Sequence, residues 1–135
     1  MGIEAQIQTQ LGATSVLTDA VSTRIYRYRR PRAAALPAVT FRRIDTEIEN
    51  HSEGASVTTH CRVQVDSWSD SETGDEVRTV ADAVATALKS WSNTGGSPSI
   101  SSCRQMSDVD LTEYEEDGTD AIQFHISQDY ELWYA

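Results

Sequence analysis

The 135-residue sequence predicts an α+β fold, a mainly antiparallel four-stranded sheet with two helices packed on one face. Three observations carry this reading. Residues 75–91 place Val77, Val80, Ala81, Val84, Leu88 and Trp91 along one face at helical spacing. Residues 57–66 and 122–134 alternate with a period of two, the mark of strands buried on one side. Polar or glycine-containing breaks separate the two kinds of pattern. Two hairpins flanking a helix bury both apolar sets in a two-layer sandwich.

Taken in order, the chain opens with Ile3, Ile7 and Leu11 at helical spacing, so residues 3–17 read as a helix that loosens near Gly12. Residues 24–28 read as a short extended piece. Residues 29–37 form an irregular loop containing Pro31 and Pro37. After Pro37, Val39, Phe41 and Arg43 alternate with Thr40 and Arg42. The parity then slips near Arg43 and Ile44, which predicts a strand with a β-bulge. Residues 51–55, with Gly54, are a turn. In the next strand Val57, Thr59, Cys61, Val63 and Val65 face one way, and Thr58, His60, Arg62, Gln64 and Asp66 the other.

Residues 69–74 are a polar break suited to capping the helix at 75–91. Gly95 and Gly96 end that helix in a flexible loop over 92–98. Residues 100–114 are a weaker strand carrying Met106, Val109 and Leu111, and residues 115–120 an acidic turn. The last strand sorts Ile122, Phe124, Ile126, Tyr130, Leu132 and Tyr134 to one face, and His125, Ser127, Asp129, Glu131 and Trp133 to the other.

Length and an apolar share of 39% fit one globular domain over residues 1–135. No apolar run approaches the ~20 residues that span a bilayer. The first ten residues include Glu4 and lack the basic-then-apolar order of a signal peptide. The expectation is a soluble protein made in the cytoplasm, with no membrane partner.

Charge is more informative. There are 21 acidic residues against 11 basic ones, giving a net charge of −10, and Lys89 is the only lysine. Such a surface resembles proteins of halophilic hosts, in which dense negative charge keeps the chain hydrated. An acidic mesophile protein with few lysines is the alternative. Either way the balance argues against sequence-specific DNA binding, which needs a basic face. Seven of the 11 basic residues lie between Arg24 and Arg43, whereas Asp108, Asp110, Glu113, Glu115, Glu116, Asp117 and Asp120 make the last third acidic. A chain divided this way can bind copies of itself head to tail. Two solvated faces with no partner are the plainer alternative.

Catalytic patterns are missing. The sequence has no Gly-x-Ser-x-Gly, no phosphate-cradling glycine loop and no His-Glu-x-x-His. Cys61 and Cys103 stand far apart and the three histidines are scattered, which speaks against zinc. The cysteines read as small buried hydrophobes, with a disulfide open only if their strands lie side by side. Asp108 with Asp110, or Glu115 with Glu116, could hold a divalent cation, but a solvated acidic turn is the better reading of them. No cofactor, metal site or activated nucleophile is expected. Polar residues fall where the pattern wants solvent, which favours a structural or interaction protein. A small metal-dependent enzyme or a monomeric α+β binding module are the rivals.

Several segments together resemble a known family. The N-terminal helix is followed by Arg24-Ile25-Tyr26, then Ala35-Leu36-Pro37-Ala38-Val39-Thr40-Phe41. Next come Arg62-Val63-Gln64-Val65-Asp66-Ser67-Trp68-Ser69, the helix through Ala81-Asp82-Ala83-Val84-Ala85-Thr86-Ala87-Leu88, and Tyr130-Glu131-Leu132-Trp133-Tyr134. In this order and spacing they resemble the tail-completion proteins of long-tailed bacteriophages, related in fold to the tail terminators that cap the tail tube. The run Arg27 to Arg32 departs from the small, glycine-containing loop expected there.

The resemblance implies a virion protein without catalytic residues. It implies a ring, hexameric like the sixfold tube, at the head-proximal end of the tail. Such a ring would contact the tail tube protein and a neck or head-completion protein, and DNA would cross its channel without specific binding. A head-completion or adaptor protein of the neck is the neighbouring alternative. Arg27, Arg29, Arg30, Arg32, Arg42 and Arg43 are the candidate partner-interface residues, with the loops at 51–55 and 92–97 as secondary candidates.

Overall fold

The computed structural model describes residues 2–50, 57–71, 73–114 and 121–135. The predicted turns at 51–55 and 115–120 lie outside the described residues.

The N-terminal helical region is two helices. Helix α1 (Ile3–Ala13) buries Ile3, Gln6, Ile7 and Leu11; helix α2 (Ser15–Val21) buries Leu17 and Val21. Between them Thr14 is extended, with φ −89° and ψ 105°. The reason lies in the spacing. Six residues of unbroken helix would turn Leu17 roughly 120° away from the face of Leu11. One extended residue brings Leu17 and Val21 back to the core.

Helix α3 (Asp75–Leu88) ends three residues before the predicted Trp91. It buries Val77, Val80, Ala81, Ala83, Val84, Ala87 and Leu88. With α1 and α2 it makes three helices among the described residues where two were expected, and all three pack on one face of the sheet. No described helix is long and apolar enough to cross a membrane.

The strands are β1 (Ile25–Arg27), β2 (Ala38–Asn50), β3 (Val57–Ser69), β4 (Ile100–Asp110), β5 (Glu113–Tyr114) and β6 (Ala121–Tyr134). They form a six-stranded sheet in the order β1-β2-β3-β6-β4, with β5 also on β6. The expected four antiparallel strands are therefore β2, β3, β6 and β4 of this sheet. The short piece at 24–28 joins as β1, parallel to β2, and the sheet is mixed. Sequence alternation cannot announce a three-residue edge strand, because one turn of the pattern is too short to establish a period. The bulge falls as predicted: the β2–β3 register slips between Arg43 and Asp45.

Facing the helices are Val39, Phe41, Cys61, Val63, Val65, Cys103, Tyr130 and Leu132, all buried against Ile7, Leu11, Leu17, Val84 and Leu88. Val77, Ala81 and Ile126 form a second small cluster at one end. Gln128 is buried among them because its amide is satisfied. It donates to Ala81 O at 3.1 Å and to Asp108 at 3.0 Å, and it accepts from Tyr130 Oη at 3.1 Å.

The cysteines are both free and buried. Each lies opposite Leu132, Cys61 from β3 and Cys103 from β4, so β6 stands between them. Two strand spacings are about 9.6 Å, beyond the ~7 Å that a disulfide can bridge. Burial pushes Cys61 up to about 11 and Cys103 up to about 12.

Candidate functional site

Among the described residues, no helix covers the second face of the sheet. Strict alternation assigns His60, Arg62, Gln64, Asp66 and Trp68 of β3 to this face, and His125, Ser127, Asp129, Glu131 and Trp133 of β6. The register sets Trp68 opposite His125, Asp66 opposite Ser127, Gln64 opposite Asp129, Arg62 opposite Glu131 and His60 opposite Trp133. A tryptophan therefore meets a histidine at each end of the ladder. Trp68 and His125 stack with ring centroids 3.8 Å apart, and His60 and Trp133 with centroids 4.2 Å apart.

Polar bonds tie the rows between these stacks. His125 Nε2 lies 2.7 Å from Asp66 Oδ1, and Gln64 Nε2 donates to both Asp66 oxygens at 3.1 and 3.0 Å. Arg62 pairs with Asp129 at 2.9 Å, His60 with Glu47 at 2.9 Å, and Trp68 Nε1 donates to Thr40 Oγ1 at 3.1 Å. Burial acts to raise the Asp66 pKa, but hydrogen bonds from His125, Gln64 and Ser127 together hold it below the ordinary carboxylate value. An ionised Asp66 only accepts, so His125 Nε2 is the donor in their bond. The result is a cross-linked polar surface, suited to contact.

The alternation of these two strands gives the parity of His125 and Asp66 but not their partnership. On its own strand Asp66 is reached by the Gln64 amide, two residues away, but by no histidine. Only the β3–β6 register brings His125 to it.

The six candidate arginines divide into two groups. Arg43 is on the helix side, where its guanidinium ties β2 to α1 through Glu4, with Nε to Oε1 at 2.8 Å. Arg27 lies opposite Phe41 in the register and its charge also acts on Glu4. The Glu4 carboxyl, raised by burial and lowered by its own backbone hydrogen bond and by Arg43 and Arg27, sits below its usual value in sum. Arg42 is exposed opposite Gln64 on the uncovered face. Arg29, Arg30 and Arg32 belong to the loop between β1 and β2. A parallel pair requires the chain to return to the end where it started, and this return carries the loop over the uncovered face. There Arg30 lies 5.7 Å above the Trp68 ring, a cation–π contact, and a cleft forms between Tyr28, Arg29, Arg30, Arg32, Thr40 and Trp68. Arg29 and Arg32 remain exposed.

The acidic candidates do not gather. Asp108 pairs with Arg78 at 2.9 Å and accepts from Gln128, while Asp110 caps its own turn by accepting from the Thr112 N–H at 2.9 Å. Glu115 and Glu116 lie outside the described residues. Among the described residues no group of three or more His, Cys, Asp or Glu side chains is placed to hold a metal ion. The 92–98 loop is tied down rather than free. Asn93 exchanges main-chain bonds with Ile100, and its amide donates to Gln6 Oε1 at 2.8 Å.

The described residues thus form a two-layer α+β fold with one polar sheet face that no described helix covers. The chain belongs to the family of the tail completion protein gp17, whose model matches residues 5–135. It is therefore a structural protein of the virion tail, in a family that is not enzymatic. A chain from the solved virion of a native gene transfer agent particle is similar in fold, with a TM-score of 0.73. That similarity has 16% identity and covers 98% of this chain and 93% of that one. Comparison with curated protein sequences finds no match.

Proposed function

We propose that this protein forms a ring, hexameric like the tail tube, which closes the head-proximal end of the tail and joins it to the neck. Family membership across residues 5–135 supports the location. The observation that carries the ring is the sheet with helices on one side only. Its ladder from Trp68–His125 to His60–Trp133 is pre-ordered by side-chain bonds, and a surface of this kind suits a lumen wall or a subunit interface. A net charge of −10 fits a channel that DNA crosses without sticking, because like charge repels the phosphate backbone. The same charge and the near absence of lysine support a halophilic host.

Light scattering of the purified protein in low and in multimolar salt, followed by negative-stain imaging, tests this. A ring of about six subunits that persists in high salt is the expected result. A strict monomer at every salt and concentration would turn the reading to a monomeric binding module.

A further inference from the structure

The two sides of the sheet carry opposite charge. One cross-strand row runs Ile25, Val39, Ser67, Ile126, Asp110, from β1 to β4. Four strand spacings separate its ends, about 19 Å. On the β1 side of this row the arginine loop lies over the uncovered face against Thr40 and Trp68, with Arg29 and Arg32 exposed and Tyr28 64% exposed. At the β4 end stands Asp110, exposed, beside Val109 and Leu111, each 48% exposed, with the exposed Glu113 of β5 three residues further along β6, opposite Gln123. Among the described residues no strand lies outside β4. Such an edge, with exposed apolar side chains, is normally covered or interrupted in a soluble protein. Here it is interrupted, by register shifts at Ile100/Ser102 and Gln105/Ser107, yet Met106, Val109 and Leu111 are left bare.

We propose that copies of this chain dock head to tail, the arginine loop of one copy seated against the acidic end of β4 in the next. The inference rests on the ring reading and names the contact that would close it. Charge selects the geometry. A twofold pairing of like edges, β1 on β1 or β4 on β4, would set like charge against like and repel. Rotation about an axis running along the strands keeps every copy at one height and turns the arginine loop of each copy toward the neighbour's Asp110, with Glu113 beyond it. Asp108 is not available for this contact, since Arg78 and Gln128 already hold it. Tyr28 on one edge and Val109 and Leu111 on the other supply the apolar part.

Two charge variants and their mixture test the contact. Arg29→Glu with Arg32→Glu makes both edges acidic. Asp110→Asn with Glu113→Arg removes the acidic edge while keeping the oxygen that Thr112 uses, which protects the turn. Circular dichroism checks that each variant is folded, and light scattering at about 0.15 M salt reads its mass. Each variant alone should associate at least about tenfold more weakly than the unmodified chain. Their equimolar mixture should restore assembly, since both contacts it offers pair opposite charges. Variants that assemble as well as the unmodified chain would overturn the docking and leave the ring standing. So would two defective variants whose mixture stays dissociated. An unmodified chain that remains monomeric to millimolar concentration would overturn ring and docking together.

Discussion

Asp66 and His125 meet at 2.7 Å across β3 and β6, on the side of the sheet that no described helix covers. Asp66 is only 7% exposed even so, because Trp68 stacks on His125 and donates to Thr40 beside it. A carboxylate in that position is stable only while its hydrogen bonds hold.

The folded Asp66 has a pKa below its ordinary 3.8. A depressed carboxylate contributes stability that is present above the unfolded pKa and is lost as pH falls through the folded one. Urea midpoints should therefore stay level from pH 7 to about pH 5 and fall below about pH 4. Asp66→Asn should lower the midpoint at pH 7 by about 1–3 kcal/mol equivalent and flatten the acid slope. Identical slopes in the two proteins would refute the role given to Asp66.

Neither cysteine is available to a reagent in the folded chain. Raising a thiol pKa from 9.0 to about 11, as at Cys61, lowers its thiolate fraction at pH 8 about a hundredfold. An aromatic disulfide reagent should label native protein only as fast as it opens, and label both thiols at once in denaturant. Mobility on non-reducing gels should not respond to reductant. A fast native-state reaction would contradict the burial.

Gly96 and its neighbour Gly95 make a matched pair. A Cβ on Gly96 would lie 2.5 Å from Gln6 Oε1 and 2.7 Å from Asn93 Nδ2, whereas a Cβ on Gly95 meets nothing within 4 Å. Gln6 cannot swing aside freely, because its amide also donates to Pro98 O at 2.9 Å. Gly96→Ala should destabilise by about 1–2 kcal/mol and Gly95→Ala by close to nothing. Equal thermal midpoints for the two would show that the loop yields.

Tyr130→Phe removes the hydroxyl that donates to Gln128 Oε1 and leaves that oxygen buried without a donor. The expected loss is about 1–2 kcal/mol in urea denaturation. Replacing Gln128 by Leu in the same background tests the cause. If the cost of Tyr130→Phe is unchanged there, the hydroxyl was not acting through Gln128.

Much of this architecture is legible in the residues because it depends on local period. The α3 stripe from Val77 to Leu88 and the alternation of β3 and β6 place the core face directly, and the parity slip at Ile44 marks the bulge. The break at Thr14 was in the spacing of Leu11 and Leu17 as well, though a helical reading smooths over a six-residue step. β1 was not legible as a member of the sheet, since its pairing with β2 is made by a return loop rather than by its own three residues.

The candidate site divides along the same line. Composition alone shows a basic segment at 24–43 and an acidic last third, and it shows that no catalytic pattern accompanies them. It does not show that Arg43 is held by Glu4 while Arg29 and Arg32 stay exposed, nor that Asp110 stands at the height of Ile25. Side-chain identity and local period determine which face of each element seeks the core, because burial of apolar area is a property each segment carries by itself. Strand order and register decide which polar groups meet, because those contacts join residues as distant as Asp66 and His125, and only the folded sheet brings them together.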